Sequence, residues 1–326
     1  MKLSAVIPVY NAERYLPELL DSLKNQTDKD FEISIVNDGS TDKSGDLIEQ
    51  FIKDNPEIKV IYNKIPNSGQ GAARELGIKS ATNDYICFID ADDYLEPNYF
   101  ETFDEIISKY QPDLVCSNHF VNDKEVADSG DFPDKLLNEE EIKSMIYPYL
   151  IHTARYSYFR PNLWAKVFRK DLYLNNICKE NIRVGEDIAV FIPTFLECKS
   201  VYLCSKHLYH YRVNDESVMN AKKPRNYSDV TNLYNHLKAK LTDEQYKYFE
   251  LQIDRLIAHV AFNCSITQFY GRDKKEAQEI ISKNLDNEII AKAIKAMDAE
   301  GFKAKLMRNA LQHKKYGLMK LYSKVM

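Results

Sequence analysis

Residues 85–97 read YICFIDADDYLEP. Tyr85 to Ile89 are aromatic, β-branched or apolar, the composition of a strand buried on both faces. Asp90, Asp92 and Asp93 then place three carboxylates within four residues. Aspartate is a poor strand former and clustered like charges repel, so the strand ends here and the charge needs a reason. Residue type leaves two readings open. The acids cap the turn or helix that begins near Pro97, or they offer oxygen ligands to a divalent cation.

The flanking sequence alternates strand and helix signals. Upstream, Leu3–Pro8 is apolar, and Ala12–Asn25 is amphipathic with Leu16, Leu19, Leu20 and Leu23 on one stripe. Phe31–Val36 is strand-like and runs into NDGSTD, and Asp42–Lys53 is helical with Leu47, Ile48 and Phe51 inward. A short strand at Lys59–Tyr62, the loop NKIPNSGQG and a helix over Gln70–Ser80 follow. Downstream come a helix after Pro97 and a strand at Asp113–Ser117. This spacing predicts a mainly parallel, right-handed α/β sheet, which binds ligands beyond the carboxyl ends of its strands. The rule puts Tyr10 and Asn11, Asp38, Asn67 and the three acids on one edge. In that context the cation reading is the better one.

Beyond about residue 125 the pattern changes. Residues 122–141 read as a polar surface loop, and 142–215 mix short helices with aromatic pieces such as ARYSYFRPNLWAKVF. From about Tyr227 the chain reads as helical, which sets a soft boundary at Asp215–Tyr227. The expected organisation is a catalytic domain over 1–220, its nucleotide half about 1–120 and its acceptor half about 121–220, with a helical region over 221–326.

Composition narrows the function classes. The 326 residues are 44% hydrophobic and 29% charged, as in a globular protein with a real core. A net charge of −5 argues against general nucleic-acid binding. The six cysteines form no CxxC pair, so reduced core thiols are expected rather than a disulfide frame or a zinc site. Lys2 leads straight into LSAVIPVY without a signal-peptide pattern, and no apolar run reaches about 18 residues, so a cytoplasmic chain is expected.

Four motifs, IPVYNAERYL, IVNDGSTDKS, NSGQGAARELGIKSA and FIDADDYLEP, occur in order over roughly the first hundred residues. Together with NLWAKVFRK, RVGEDIAV and LYHYRVNDESVM, they resemble the successive motifs of family 2 glycosyltransferases. The resemblance implies the GT-A fold, with a Rossmann-like, mainly parallel central sheet flanked by helices. It also implies inverting sugar transfer from a UDP-sugar with Mn²⁺ or Mg²⁺.

Roles follow residue by residue. Pro8 and Tyr10 match the wall of the base pocket, where a ring stacks on uracil. Asp38 matches the acid that accepts from the uracil edge, and Asn67 and Arg74 match residues reaching the nucleotide. Asp90 matches an acid near the ribose, and Asp92 the metal-holding acid of the family's D-x-D. His210 matches a position that completes the metal or diphosphate site, and Arg212 one that pairs with phosphate. Asp187 matches the base that takes the acceptor's hydroxyl proton, with Glu186 beside it. Trp164 matches a residue that meets the acceptor, while a core position is the alternative.

Other classes are weaker. A nucleotidyltransferase would carry a glycine-rich basic loop after its first strand, where this chain has VYNAERYL. A non-catalytic nucleotide-sugar scaffold would be expected to lack Asp92 or Asp187, and both are present. The tail from Gly301 holds seven Lys/Arg and no acid, with Leu311, Leu318, Leu321, Tyr322 and Val325 near one stripe. That reads as one basic amphipathic helix, suited to an anionic membrane surface near a lipid-linked acceptor or to packing as a terminal helix.

Overall fold

A computed structural model describes residues 3–126, 133–152, 159–180, 182–213, 222–299 and 301–324. Residues 154–158 of the aromatic run, residues 214–219 of the last motif, Asp215 at the expected boundary and Val325 lie outside them.

Four parallel strands, β1 (Leu3–Val9), β2 (Glu32–Asp38), β3 (Lys59–Ile65) and β4 (Tyr85–Phe88), alternate with helices α1 (Leu16–Lys24), α2 (Ser44–Asp54) and α3 (Gln70–Ser80). β5 (Tyr94–Leu95), α4 (Tyr99–Tyr110), β6 (Leu114–Val121), β7 (Lys124–Val126), β8 (Lys135–Leu137) and α5 (Glu139–Met145) follow. Then come β9 (Lys166–Arg169), α6 (Lys170–Asn175), α7 (Glu186–Glu197) and β10 (Val201–Tyr211). The strand order is β3-β2-β1-β4-β9-β6-β10-β5, with β7 on β6 and β8 on β10.

β9 runs antiparallel to both β4 and β6, and β10 is parallel to β6. The long strands β1 to β4, β6 and β10 therefore all point the same way, and their carboxyl ends share one edge. The sheet as a whole is mixed, because β5, β7, β8 and β9 run against them. The segment 122–141, expected as loop, contains β7 and β8, since β6 and β10 supply pairing partners that a local pattern does not show.

α1 begins at Leu16 rather than Ala12; the backbone N–H groups of Asn11, Ala12 and Glu13 bond Ser40, Ser44 and Asp42 at the entrance to α2. Its Leu16, Leu19, Leu20 and Leu23 are buried as the stripe requires. Each such burial is worth roughly 1.5–3 kcal/mol relative to exposure.

Close packing divides the chain into two units. One comprises Met1–Ser144, Asn162–Ile177 and Thr194–Val213 and contains the sheet; the other comprises Met145–Pro161, Cys178–Pro193 and Asn214–Met326. The sequence pattern suggested one break near residue 220, whereas two earlier segments join the second unit. That unit is helical: α8 (Ser228–Lys240), α9 (Asp243–Thr267), α10 (Lys274–Leu285), α11 (Glu288–Ala296), α12 (Gly301–Gln312) and α13 (Tyr316–Tyr322). The tail is two helices rather than one. Lys314 turns the chain at φ 46°, and its Nζ pairs with Asp286 at 2.7 Å. Leu311 is buried while Leu321 is 59% exposed, so the expected stripe is split between faces. Among the described residues no helix is long and apolar enough to cross a membrane.

Candidate active site

The loops after β1 and β2 are tied together by reciprocal bonds. Asn11 Oδ1 accepts the Thr41 N–H at 2.8 Å, and the N–H groups of Ala12 and Glu13 donate to Ser44 Oγ and Asp42 Oδ2, both at 2.9 Å. The Lys43 N–H returns a bond to Glu13 Oε2 at 3.0 Å. Burial opposes the charge on Asp42, but hydrogen bonds from Ser44 and from the Glu13 N–H outweigh it and hold the carboxyl below its ordinary value. On this braced edge Pro8 is buried and Tyr10 is 51% exposed.

Asp38, at the end of β2, is buried. Its two oxygens accept the N–H groups of Ser68 (2.6 Å) and Gly69 (2.9 Å). Each oxygen keeps a second lone pair for a ligand donor. The next residue must be glycine: Gly39 has φ 71°, and a Cβ would sit 2.6 Å from the Asn67 backbone nitrogen. Asn67 itself is exposed.

Beyond β4, Asp90 Oδ1 accepts from Arg74 Nη2 at 3.1 Å and from Gln70 Nε2 at 3.2 Å. Arg74 is buried. The Tyr209 hydroxyl, on β10, accepts the Asp90 N–H at 3.1 Å and donates to Asp93 Oδ2 at 2.6 Å. Asp93 Oδ1 accepts the Arg212 N–H at 2.8 Å. Asp93 is thus the inward acid that ties the turn to β10. Burial first, then the charges of Asp90 and Asp92, push its carboxyl well above the ordinary range. Asp92 is half-buried on the same turn. Asp90 and Asp92 are hard oxygen donors two residues apart, a set that fits Mn²⁺ or Mg²⁺.

Three expected contacts look different in place. His210 Nε2 lies 2.7 Å from Glu96 Oε1 and Nδ1 3.2 Å from Asp123 Oδ1, with Tyr94 and Phe120 stacked on the ring. Both nitrogens thus face carboxylates, so a metal or diphosphate that engaged His210 would have to take the place of one of them. Arg212 Nη2 is 2.7 Å from Glu18 Oε2, and its guanidinium lies over Tyr15 and Tyr94. It is held beside the edge by a carboxylate that a phosphate would have to displace. Trp164 is 8% exposed and stacks on Tyr209 and Tyr211, which share one face of β10. Its position fits the core alternative, where it supports the strand that carries Tyr209.

Glu186 and Asp187 occupy the first turn of α7, half-buried, where the helix dipole favours a carboxylate. Sequence reasoning missed what holds the segment before them. Asp229 of α8 accepts the N–H groups of Arg183 and Val184. Burial nevertheless keeps its carboxyl above the ordinary value. Tyr209 was missed as well; the signal was its place next to His210, on the opposite face of a strand that reaches the acidic turn.

The sequence model of Glycosyl transferase family 2 matches residues 4–162. Over 249 residues the chain is 30% identical to the uncharacterized glycosyltransferase EpsJ of Bacillus subtilis, covering 72% of this chain and 70% of EpsJ. Glycosyltransferase GlyA of Streptococcus pneumoniae is 31% identical over 224 residues, which are 67% of this chain but 31% of GlyA's own length. The crystal structure of S. aureus TarS 1–349 in complex with UDP-GlcNAc superposes with a TM-score of 0.67 at 19% identity, covering 99% of this chain and 91% of that one. That likeness is one of fold. The chain belongs to glycosyl transferase family 2: it is a glycosyltransferase with a GT-A-type mixed sheet and a helical carboxyl-terminal region.

Proposed function

We propose that the protein is an inverting, metal-dependent transferase. It moves a hexose or N-acetylhexosamine from a UDP-sugar to a hydroxyl of a glycan or lipid-linked saccharide, in surface-polysaccharide synthesis on the cytoplasmic side of the membrane. The observation that carries this reading is the single sheet edge that gathers Tyr10, Asp38, the Arg74–Asp90 pair at 3.1 Å and the acidic turn. The UDP-GlcNAc bound by TarS supports a uridine donor.

In this reading Tyr10 stacks on the base against Pro8, and Asp38 accepts the imide N–H. Asn67 and Arg74 reach the nucleotide, and Asp90 lies by the ribose. Asp92 holds the divalent ion, which when bound offsets the charge that builds on the departing diphosphate. Arg212 exchanges Glu18 for a phosphate oxygen. Asp187 takes the acceptor's proton late, because a carboxylate is a far weaker base than the alkoxide it would have to produce. Glu186 orients that acceptor. Attack and departure on opposite faces of an oxocarbenium-like centre invert the anomeric carbon. Phe302, 79% exposed, and Leu321 sit among the tail's lysines and support a peripheral membrane contact.

The test is UDP release from UDP-glucose, UDP-galactose, UDP-GlcNAc and UDP-GalNAc, with Mn²⁺ or EDTA. One donor is expected to turn over in a metal-dependent way, with loss in Asp92→Asn. Asp187→Asn is expected to lower kcat by about 10²–10⁴ with UDP affinity retained. No turnover together with no calorimetric binding of UDP and Mn²⁺ would overturn the reading.

A further inference from the structure

Residues 178–180 and 182–185 lie against one face of α8. Asp229 takes the N–H groups of Arg183 and Val184. Gly185, at φ 90°, lies so near Leu233 that a Cβ would sit 2.9 Å from its Cδ2. His236 meets Cys178 and Glu180. Positions 229, 233 and 236 fall at i, i+4 and i+7, a single helical stripe.

The His236 ring is buried, and its Nε2 lies 3.0 Å from the Ala189 carbonyl oxygen. A carbonyl only accepts, so Nε2 carries the hydrogen and Nδ1 is left to the other side. There Nδ1 is 2.7 Å from Glu180 Oε2 and 3.7 Å from Cys178 Sγ, and Sγ is 3.2 Å from that same Glu180 oxygen. These ligand atoms all fall within 4.8 Å of one another. A neutral nitrogen and a carboxylate oxygen present only lone pairs to each other, so a positive species belongs between them: a proton or a metal ion. The thiol as third member selects the ion. Thiolate, imidazole and carboxylate are together a zinc donor set, and a backbone carbonyl on the far imidazole nitrogen is the usual outer partner.

We propose that Cys178, Glu180 and His236 bind Zn²⁺ with water in a fourth position, clasping the segment that leads into Glu186 and Asp187 onto α8. Tetrahedral bonds of about 2.0–2.3 Å put donor atoms about 3.3–3.7 Å apart. The two distances to sulfur are close to that range. The Nδ1–Oε2 pair has to open by about 0.6 Å to reach it. Glu180, with its side chain 46% exposed, has room to rotate that far. The site's donors are other than the Asp90 and Asp92 carboxylates, and they suit a softer ion.

The test uses the full chain, stripped with chelator and titrated with Co²⁺ as a spectroscopic substitute for Zn²⁺. A thiolate-to-cobalt charge-transfer band saturating at one equivalent, displaced by Zn²⁺, is expected. Carboxylate-bound Co²⁺ at the acidic turn gives no such band, so the two sites read out separately. Cys178→Ser, with folding checked by circular dichroism, is expected to abolish the band, and Glu180→Gln to weaken binding by about tenfold or more. Absence of the band, or its survival in Cys178→Ser, would overturn the site and leave an imidazolium–carboxylate pair in its place.

Discussion

The Nε2–H of His236 donates to the carbonyl of Ala189, the residue whose helical partner four positions on is Pro193. Proline has no N–H, so within α7 that carbonyl has no i+4 donor. A side chain from α8 supplies the missing bond. His236→Ala is therefore expected to cost about 1–3 kcal/mol, the penalty for a buried polar group left unsatisfied. In a Pro193→Ala background the backbone donor returns, and the His236 penalty should shrink by about 1 kcal/mol. Urea unfolding of the four proteins in chelator measures the coupling. Strict additivity would show that the two residues act independently.

Tyr209 braces the acidic turn through one oxygen, accepting from Asp90 and donating to Asp93. Tyr209→Phe removes the bond to Asp93 and leaves the Asp90 N–H without its acceptor, a loss of roughly 1–3 kcal/mol. The expected result is an affinity for UDP with Mn²⁺ that falls about tenfold or more, read by calorimetry. An unchanged affinity would mean that the backbone alone holds the turn.

Gly39 joins the end of β2 to Asn67 by close approach. Gly39→Ala demands a left-handed alanine and pushes its Cβ into the Asn67 backbone, 2.6 Å away. Strain of about 1–3 kcal/mol is expected, with displacement of the segment that Asp38 holds. Both a lower unfolding midpoint and weaker UDP binding should follow. Loss of stability with unaltered binding would show that the segment keeps its position without the tight packing.

Glu32 has a buried side chain and accepts from Ser4 Oγ at 2.9 Å, Thr82 N at 2.7 Å, Thr82 Oγ at 2.6 Å and Lys59 Nζ at 2.6 Å. Burial opposes its charge, but these partners outweigh burial and keep the carboxyl below its ordinary value. A depressed carboxylate contributes stability that is present above the unfolded pKa, ~4.3, and lost as pH falls through the lower folded value. Glu32→Gln should therefore lower the urea midpoint at pH 7, with the difference from wild type shrinking below about pH 4. A gap that stays constant with pH would trace the loss to shape rather than charge.

Much of the site was legible because donor-edge chemistry in an α/β sheet sits at strand ends, and strand ends are local. The run YICFIDADD marks the end of β4 by composition, and Asp38 and Tyr10 follow from the same rule applied to β2 and β1. What the sequence did not show was the neighbourhood of residues far apart in the chain. Glu96 and Asp123 meet His210, and Glu18 meets Arg212, only once β10 lies beside β5 and near α1. Trp164 was ambiguous as an isolated aromatic, and its burial on Tyr209 and Tyr211 comes from the insertion of β9 between β4 and β6.

By itself, the sequence determined the alternation of strands and helices, the polar edge and the acidic turn. Hydrophobic period and residue chemistry act within a few positions of one another, where the chain cannot rearrange them. Only the tertiary structure decided which polar atoms are already engaged. It set Asp93 inward, clamped His210 between two acids, and brought Cys178 and Glu180 to a histidine more than fifty residues away. Those partnerships depend on helix and strand packing over long separations, where pairing is settled by burial and geometry rather than by neighbours in the chain.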